Sequence, residues 1–440
     1  MTSQTGGYRK PVLSSQLIRL LLIIGLILIL QIPILMVNDL IRERSYSRVQ
    51  ATEEITKKWG RAQVLVGPRL VIPVTEEGEN GHITEQTLVL MPESFTADAD
   101  LSSEIRRRGI YDVPLYRAKI ALEGAFNIAD APPLAANQTP HWERANLVLS
   151  VTDPKAIHSA EPLIWKGGEL ELQPGTGPIT GNSGGFHTAV KIDLTDKRHS
   201  FSLGLTLGGH DLLSISPAGR SSTIRITSDW PDPSFQGNWL PKRHKVTEEG
   251  FSAEWEIPFL GRNFPTGWLV GRGPSEAVLQ NSTVGVKLLN SLDTYGRVTR
   301  STKYDLIFIG LTFLCFWLLE VLGKVRIHPA QYLLVGSAIS LFYLLLLSLA
   351  EHIGFTPAYL VATLMIVGLV FSYVRHLMES NRNSALFSCA LAALYGYLFA
   401  LLHEQRYALL AGSVGLFLVL GLVMYLTRRV NWYQDEVTLP

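Results

Sequence analysis

The sequence predicts a membrane protein: six transmembrane α-helices, one N-terminal and five C-terminal, with a large, mostly antiparallel β domain on the outer side of the bilayer. Three observations predict it. Apolar runs of membrane length are confined to the two ends of the chain, the polar stretch between them carries period-two alternation, and Lys and Arg gather in alternate short loops. An average of 47% hydrophobic and 18% charged residues conceals this division.

A helix needs about 20 mainly apolar residues to cross the hydrocarbon core, because its backbone polar groups must be satisfied internally there. The windows 17–37, 306–322, 332–350, 357–374, 384–402 and 407–426 meet that need, the second and fourth being short. Glu320 lies near the end of the second window, where it can reach the interface. Arg9 and Lys10 precede the first window, Lys324 and Arg326 follow the second, Arg375 and Arg382 the fourth, and Arg428 and Arg429 the sixth. The alternate loops hold only Arg406. Cations prefer cytoplasmic loops, so the tails 1–16 and 428–440 are expected inside and residues 38–304 outside, with the helix bundle at 305–427. Arg42, Arg44 and Arg48 vote the other way and are outweighed by the later loops. The first run continues to Val37, and Gln31-Ile32-Pro33-Ile34 offers no small-x-small cleavage site, so the segment is expected to stay as a signal anchor.

Residues 38–59 are polar, lack Gly and Pro, and include Leu40, Ile41, Val49 and Ile55, which predicts that the first helix extends as a stalk. The period then changes. Tyr116, Ala118, Ile120, Leu122 and Phe126 alternate with Arg117, Lys119 and Glu123, the pattern of a strand with one buried face. Gly167-Gly168 is expected to turn a hairpin between 163–166 and 169–172, and Gly208-Gly209 a second between 201–207 and 211–216. Further strands are expected at 63–66, 69–74, 87–91, 146–152, 186–193, 223–227, 251–257 and 283–289, arranged as one elongated sandwich or two smaller ones.

A net charge of +1 without a charged block gives no reason to expect nucleic acid as a partner. The two cysteines, Cys315 and Cys389, both sit in apolar runs, as small hydrophobes or as a redox pair, so the outer domain has no internal disulfide. The outer domain lacks H-E-x-x-H, C-x-x-C, G-x-S-x-G and Walker patterns, so no metal, cofactor or catalytic residues are expected there. The glycine-rich run at 174–185 is not followed by Gly-Lys-Ser/Thr and reads as a loop.

Three constellations remain. In 228–245, Trp230, Phe235 and Trp239 alternate with Pro231, Pro233, Gly237 and Pro241 before Lys242, Arg243, His244 and Lys245. Such rings stack on sugars or sit at a membrane interface while the cations attract anions; alternatively the rings fold back and cap the β core. Glu351 with His352, and His403 with Glu404, fall at the same membrane face, either as metal ligands or proton relays or as polar residues marking where helices leave lipid. Glu320, Lys324, Arg326, His328 and Gln331 form a polar turn, with His328-Pro329 opening the third helix. Ser337 has no G-x-S-x-G around it, which argues against a protease.

Several ordered runs resemble the CreD family of inner-membrane proteins: Leu65-Val66-Gly67-Pro68 leading to Ile72-Pro73, Arg108-Gly109-Ile110-Tyr111, Thr227-Ser228-Asp229-Trp230-Pro231, Pro233-Ser234-Phe235 and Thr302-Lys303-Tyr304. The resemblance continues through His328-Pro329-Ala330-Gln331-Tyr332-Leu333-Leu334-Val335-Gly336, the run 342–349, Glu351-His352-Ile353-Gly354-Phe355-Thr356, and Asn431-Trp432-Tyr433. It implies a bacterial inner-membrane protein with a periplasmic β domain, supporting cell envelope integrity under stress, including β-lactam response and colicin tolerance. It carries over no catalytic residues. The expected partners are the lipid bilayer and an envelope protein, glycan or lipid. A transporter or lipid-handling protein working through the helix bundle is the rival, and a membrane-associated hydrolase the third class.

Overall fold

The computed structural model describes residues 15–78, 81–177, 184–262, 264–288, 294–323, 327–377, 381–403 and 407–428. They divide into two compact units, one of residues 1–47 with 292–440 and one of residues 48–291.

The second unit is a β-sandwich of two sheets. The ten-stranded sheet runs in the order 173–174, 184–189, 146–151, 63–77, 212–215, 284–288, 233–237, with 83–90 and 138–140 also paired to 63–77 and 267–269 paired to 83–90. The nine-stranded sheet runs 243–247, 250–257, 221–228, 94–108, 111–127, 198–210, 163–165, 168–170, with 157–160 joined to 198–210. Pairing is antiparallel except where Gln63–Leu65 meets Leu213–Ile215 and where Ser221–Ser228 meets Ser94–Leu101. Inward side chains of both sheets form one hydrophobic cluster, with Leu70, Ile72, Leu149 and Val286 from one and Phe95, Ile120, Leu203 and Trp255 from the other. One sandwich, rather than two, is therefore present. Each alternate strand residue turned inward removes apolar area from water, at roughly 25 cal/mol per Å2.

The first expected hairpin forms one residue earlier than the sequence predicts. Its turn residues are Lys166 and Gly167, with φ of 49° and 82°, and Trp165 faces Gly168 across it. Two consecutive left-handed residues match the twist of the flanking strands. The second expected hairpin does not exist. The strand Arg198–His210 runs straight through Gly208 and Gly209 beside Tyr111–Asn127, and the chain then turns at Asp211 into the other sheet. These glycines serve close approach instead of turning. A Cβ on Gly208 would stand 2.9 Å from the Trp59 carbonyl oxygen and 2.8 Å from His158 Nε2, and one on Gly209 would collide with the Tyr116 ring.

In the other unit and the segment leading out of it, helix α1 spans Ser15–Trp59, a single 45-residue helix. Short α2 (Glu276–Asn281) belongs to the sandwich. The bundle continues with α3 (Thr294–Thr302), α4 (Asp305–Gly323), α5 (Pro329–Ile353), α6 (Phe355–Leu377), α7 (Asn381–His403) and α8 (Ala408–Thr427). Among the described residues, five helices are long and apolar enough to cross a membrane: Leu20–Trp59, Pro329–Ile353, Phe355–His376, Ser384–His403 and Leu409–Thr427, with a bent pair making a sixth if it counts as one span. The span expected at 306–322 is the second limb of a bent pair, Thr294–Thr302 and Asp305–Leu318, set at 47°.

Helices in lipid gain nothing from burying apolar surface against each other, so close ring packing and hydrogen bonds must hold them. Phe342 of α5 lies 5.3 Å from the Tyr359 ring of α6 and 4.8 Å from that of Tyr395 on α7, and Phe308 of α4 packs 4.5 Å from Tyr395. The Tyr359 hydroxyl donates to the Tyr395 carbonyl at 2.8 Å.

Candidate functional site

The aromatic segment is built from two short strands that belong to different sheets. Pro233–Gly237 pairs with Val284–Leu288 in the ten-stranded sheet, while Arg243–Thr247 pairs with Gly250–Ile257 in the nine-stranded one. Trp230, Phe235 and Trp239 are half-buried and pack on the sandwich core. Phe235 meets Phe251 and Trp255 edge-on, with ring centroids 6.0 and 5.9 Å away. The buried Trp255 indole donates to the Trp239 carbonyl at 3.0 Å, which gives its N–H the partner that burial demands.

Of the cations that follow, Lys242 and Arg243 are paired. Register places Arg243 opposite Glu254, and its Nη2 reaches Glu254 Oε1 at 2.6 Å and Glu256 Oε1 at 3.2 Å. Lys242 binds Glu256. Hydrogen bonding from Arg243 holds the Glu254 carboxyl below its ordinary value and, in return, raises the Arg243 guanidinium. The tips of the two adjoining loops are apolar and open: Leu240 is 83% and Leu260 92% exposed.

On the bundle, Glu351 lies in the last turn of α5. It accepts from the Tyr295 hydroxyl at 2.9 Å and pairs with Arg44 at 3.8 Å, tying α1, α3 and α5. Nearby in sequence, Thr302 donates to Asn38 Oδ1 at 2.7 Å. His352 is exposed in the last turn of α5. His403 is exposed, with Nδ1 3.1 Å from the Phe399 carbonyl, so its Nδ1 carries the proton and Nε2 is left for solvent or ligand. Glu404 lies outside the described residues, as do Lys324 and Arg326. Among the described residues no group of three or more His, Cys, Asp or Glu could hold a metal ion.

His328 caps α5. Its Nδ1 accepts from the Ala330 N–H at 3.2 Å while Gln331 Oε1 accepts from the His328 N–H at 2.9 Å, a reciprocal box completed by Pro329 in the first turn. Glu320 accepts from the Tyr332 hydroxyl at 3.3 Å, joining the end of α4 to the start of α5.

Three buried polar positions escape sequence reasoning. Arg69, 2% exposed, forms a two-pronged pair with Glu276 at 2.6 and 3.0 Å and donates to Ser150 Oγ at 2.9 Å. An arginine inside the apolar run 64–74 is the available signal, but its partner lies 207 residues away. Arg262, 6% exposed, donates to the Ala218 carbonyl at 2.6 Å and packs against the rings of Phe264 and Phe259; burial pushes it down to about 10. Asp305 is 7% exposed at the start of α4, where its acidic side chain suits the helix N-terminus.

An apolar groove of about 700 Å3 runs between α4, α7 and α8, with Tyr304, Tyr397 and Ser413 among its lining residues.

The sequence model of the family described as "Inner membrane protein CreD" matches residues 15–433. The chain belongs to the CreD family. The curated Inner membrane protein CreD of Escherichia coli (strain K12) is 33% identical over 418 residues, covering 93% of this chain and 92% of that one. Two solved structures overlap the chain in part. A Deinococcus radiodurans M1 zinc metallopeptidase covers 45% of this chain and 42% of its own at 9% identity, and Saccharomyces cerevisiae leukotriene A4 hydrolase 44% and 29% at 10% identity. Both have a TM-score of 0.22, at which the likeness carries no argument. Like its CreD relatives, the protein is a multi-pass protein of the inner membrane. Within it, the CreD-like run 65–73 contains the buried Arg69, and the run 328–336 opens with the His328 cap.

Proposed function

We propose that this CreD-family protein supports the integrity of the cell envelope under stress, with both termini in the cytoplasm and the β domain in the periplasm, where it contacts an envelope component or partner protein. The observation that carries this reading is a single-core β-sandwich set in sequence between α1 and the C-terminal apolar helices of an inner-membrane protein. The distribution of Lys and Arg among the short loops supports the orientation. The roles of Glu351, Glu320 and His328 in joining or capping helices support a bundle that serves as scaffold.

Two measurements test it. Alkaline phosphatase fused after Val270 is expected to be active and a fluorescent protein at the C-terminus to fluoresce; a cytosolic Val270 reporter overturns the orientation. A deletion strain is expected to become sensitive to β-lactams and to be rescued by the full chain. Rescue by a chain lacking residues 62–288 would move the function to the helices.

A further inference from the structure

The Arg108-Gly109-Ile110-Tyr111 run, one of those shared with the family, forms the tip of the longest hairpin in the sandwich unit. Ser94–Arg108 and Tyr111–Asn127 meet across Gly109 and Ile110, with Gly109 at φ 61°, the position a two-residue turn reserves for glycine. Three consecutive arginines therefore stand at one strand end, beside the last turns of α1.

Each guanidinium is held along one edge. Arg106 Nε donates to Glu104 at 2.8 Å, Arg107 Nε to Asp112 at 2.8 Å, and Arg108 Nε to Glu54 at 3.1 Å, with Arg108 Nη2 2.9 Å from the same carboxylate. Arg106 lies 4.0 Å from the Trp59 ring centroid and Arg117 5.7 Å, and the ring is fixed by its Nε1 donating to the Tyr116 carbonyl at 3.2 Å. Among the described residues the Nη groups of Arg106 and Arg107 make no hydrogen bond, and the Lys58 ammonium makes neither a hydrogen bond nor an ion pair. They border a cavity of about 290 Å3 whose lining includes Trp59 and Glu54.

Charge balance says what the cavity prefers. Lys58, Arg106, Arg107, Arg108 and Arg117 face the carboxylates of Glu54, Glu104 and Asp112. The α1 C-terminus adds only roughly half a negative charge, so the surplus stays positive. Planar guanidinium forks, pre-set by a carboxylate on one side, match the oxygens of a phosphate on the other.

We propose that this cavity is a binding site for a phosphate group, presented by a phospholipid headgroup or by a soluble phosphorylated compound. Ile105 and Ile110, 57% and 41% exposed, flank the arginines and give a lipid-borne phosphate an apolar neighbour. The proposal rests on the periplasmic reading only for the source of the ligand.

The test titrates the full chain, purified in a neutral detergent at low ionic strength, with inorganic phosphate and with dihexanoyl phosphatidylglycerol. Saturable binding of either probe is expected, weakened at least tenfold by R106Q/R107Q and two- to fivefold by K58Q. Arg144→Gln, a surface cation paired with Glu85, is expected to leave it unchanged. Binding of phosphate alone assigns a soluble source, and binding of the lipid with competition by phosphate assigns a headgroup. No saturable binding, or equal binding by wild type, R106Q/R107Q and K58Q, overturns the site. A cytosolic Val270 reporter with phosphate binding intact would keep the site and remove only the envelope source.

Discussion

The aromatic segment at 230–245 and the hairpin tip at 104–112 look alike in the sequence, each placing several cations beside an aromatic ring, yet the sandwich uses them in opposite ways. In the first, register sets Arg243 against Glu254, Lys242 reaches Glu256, and the rings close the edge of the core. In the second, carboxylates hold the guanidinium edges and leave Nη groups open to a cavity. A cation's availability is decided by which of its nitrogens the neighbouring carboxylates take: Arg243 gives an Nη to Glu254 and Glu256, whereas Arg106 and Arg107 give their Nε to Glu104 and Asp112. Aromatic spacing alone says nothing of this, because the same ring serves equally well as a lid on the core or as a platform for a ligand.

The limiting case of a committed cation is Arg69, and it predicts the largest effect. Glu276→Ala leaves an uncompensated guanidinium in the core, at a cost of about 3–5 kcal/mol. Chemical denaturation followed by near-ultraviolet circular dichroism should show the β-domain transition shift accordingly. A loss below about 1 kcal/mol would mean that solvent reaches Arg69, as it does a surface pair.

Next in size is the lid. Trp239→Ala should destabilise the sandwich by about 2 kcal/mol, less than the 3–5 kcal/mol of a fully buried ring because Trp239 keeps part of its surface in water. An unmoved unfolding midpoint would separate the ring from the core and return it to the role of a ligand platform. Trp255→Phe, which removes the N–H that serves the Trp239 carbonyl while keeping most of the ring volume, should cost about 1 kcal/mol by the same measurement.

Much of the architecture is legible in the amino-acid order, because membrane-length apolar runs and period-two alternation are local signals. The strand Tyr111–Asn127 displays Ile120 and Leu122 against Lys119 and Glu123 plainly. Its neighbour Ser94–Arg108, two residues shorter, does not: its inward residues include Ala97 and Ala99, and Asp98 and Asp100 are poor strand formers. Pairing on both sides, not propensity, makes it a strand. Gly208 and Gly209 mislead for a related reason. Glycine in a turn and glycine beneath a ring carry the same letter, and only the position of Trp59 and Tyr116 tells them apart. Of the candidate polar residues, His328 is readable as a helix start from the following proline, whereas the Glu351 contacts to Arg44 and Tyr295 join distant segments and leave no local trace.

A third fate, burial without any partner, gives the smallest and most specific prediction. His199 is fully buried, stacked on Trp165 at 5.6 Å with the rings 11° apart, and neither ring nitrogen has a partner among the described residues. Burial, aided by the Lys166 charge, lowers its pKa, while Asp196 opposes the shift. The unfolded chain takes up this proton near the ordinary value of about 6.5, whereas the folded protein takes it up only at lower pH. Below about 6.5 the unfolded state therefore binds more protons, and stability falls with pH until the folded His199 also protonates. His199→Phe keeps a ring on Trp165 and removes the titration, so it should flatten stability against pH just below 6.5. The losses from Asp193 and Asp196, whose pKa values are lowered chiefly by hydrogen bonds from Thr195 and Lys166, begin only below the ordinary carboxylate value. An unchanged slope in His199→Phe would mean that water reaches the imidazole, and the stack would then belong with the half-exposed rings of the aromatic segment instead of with the core.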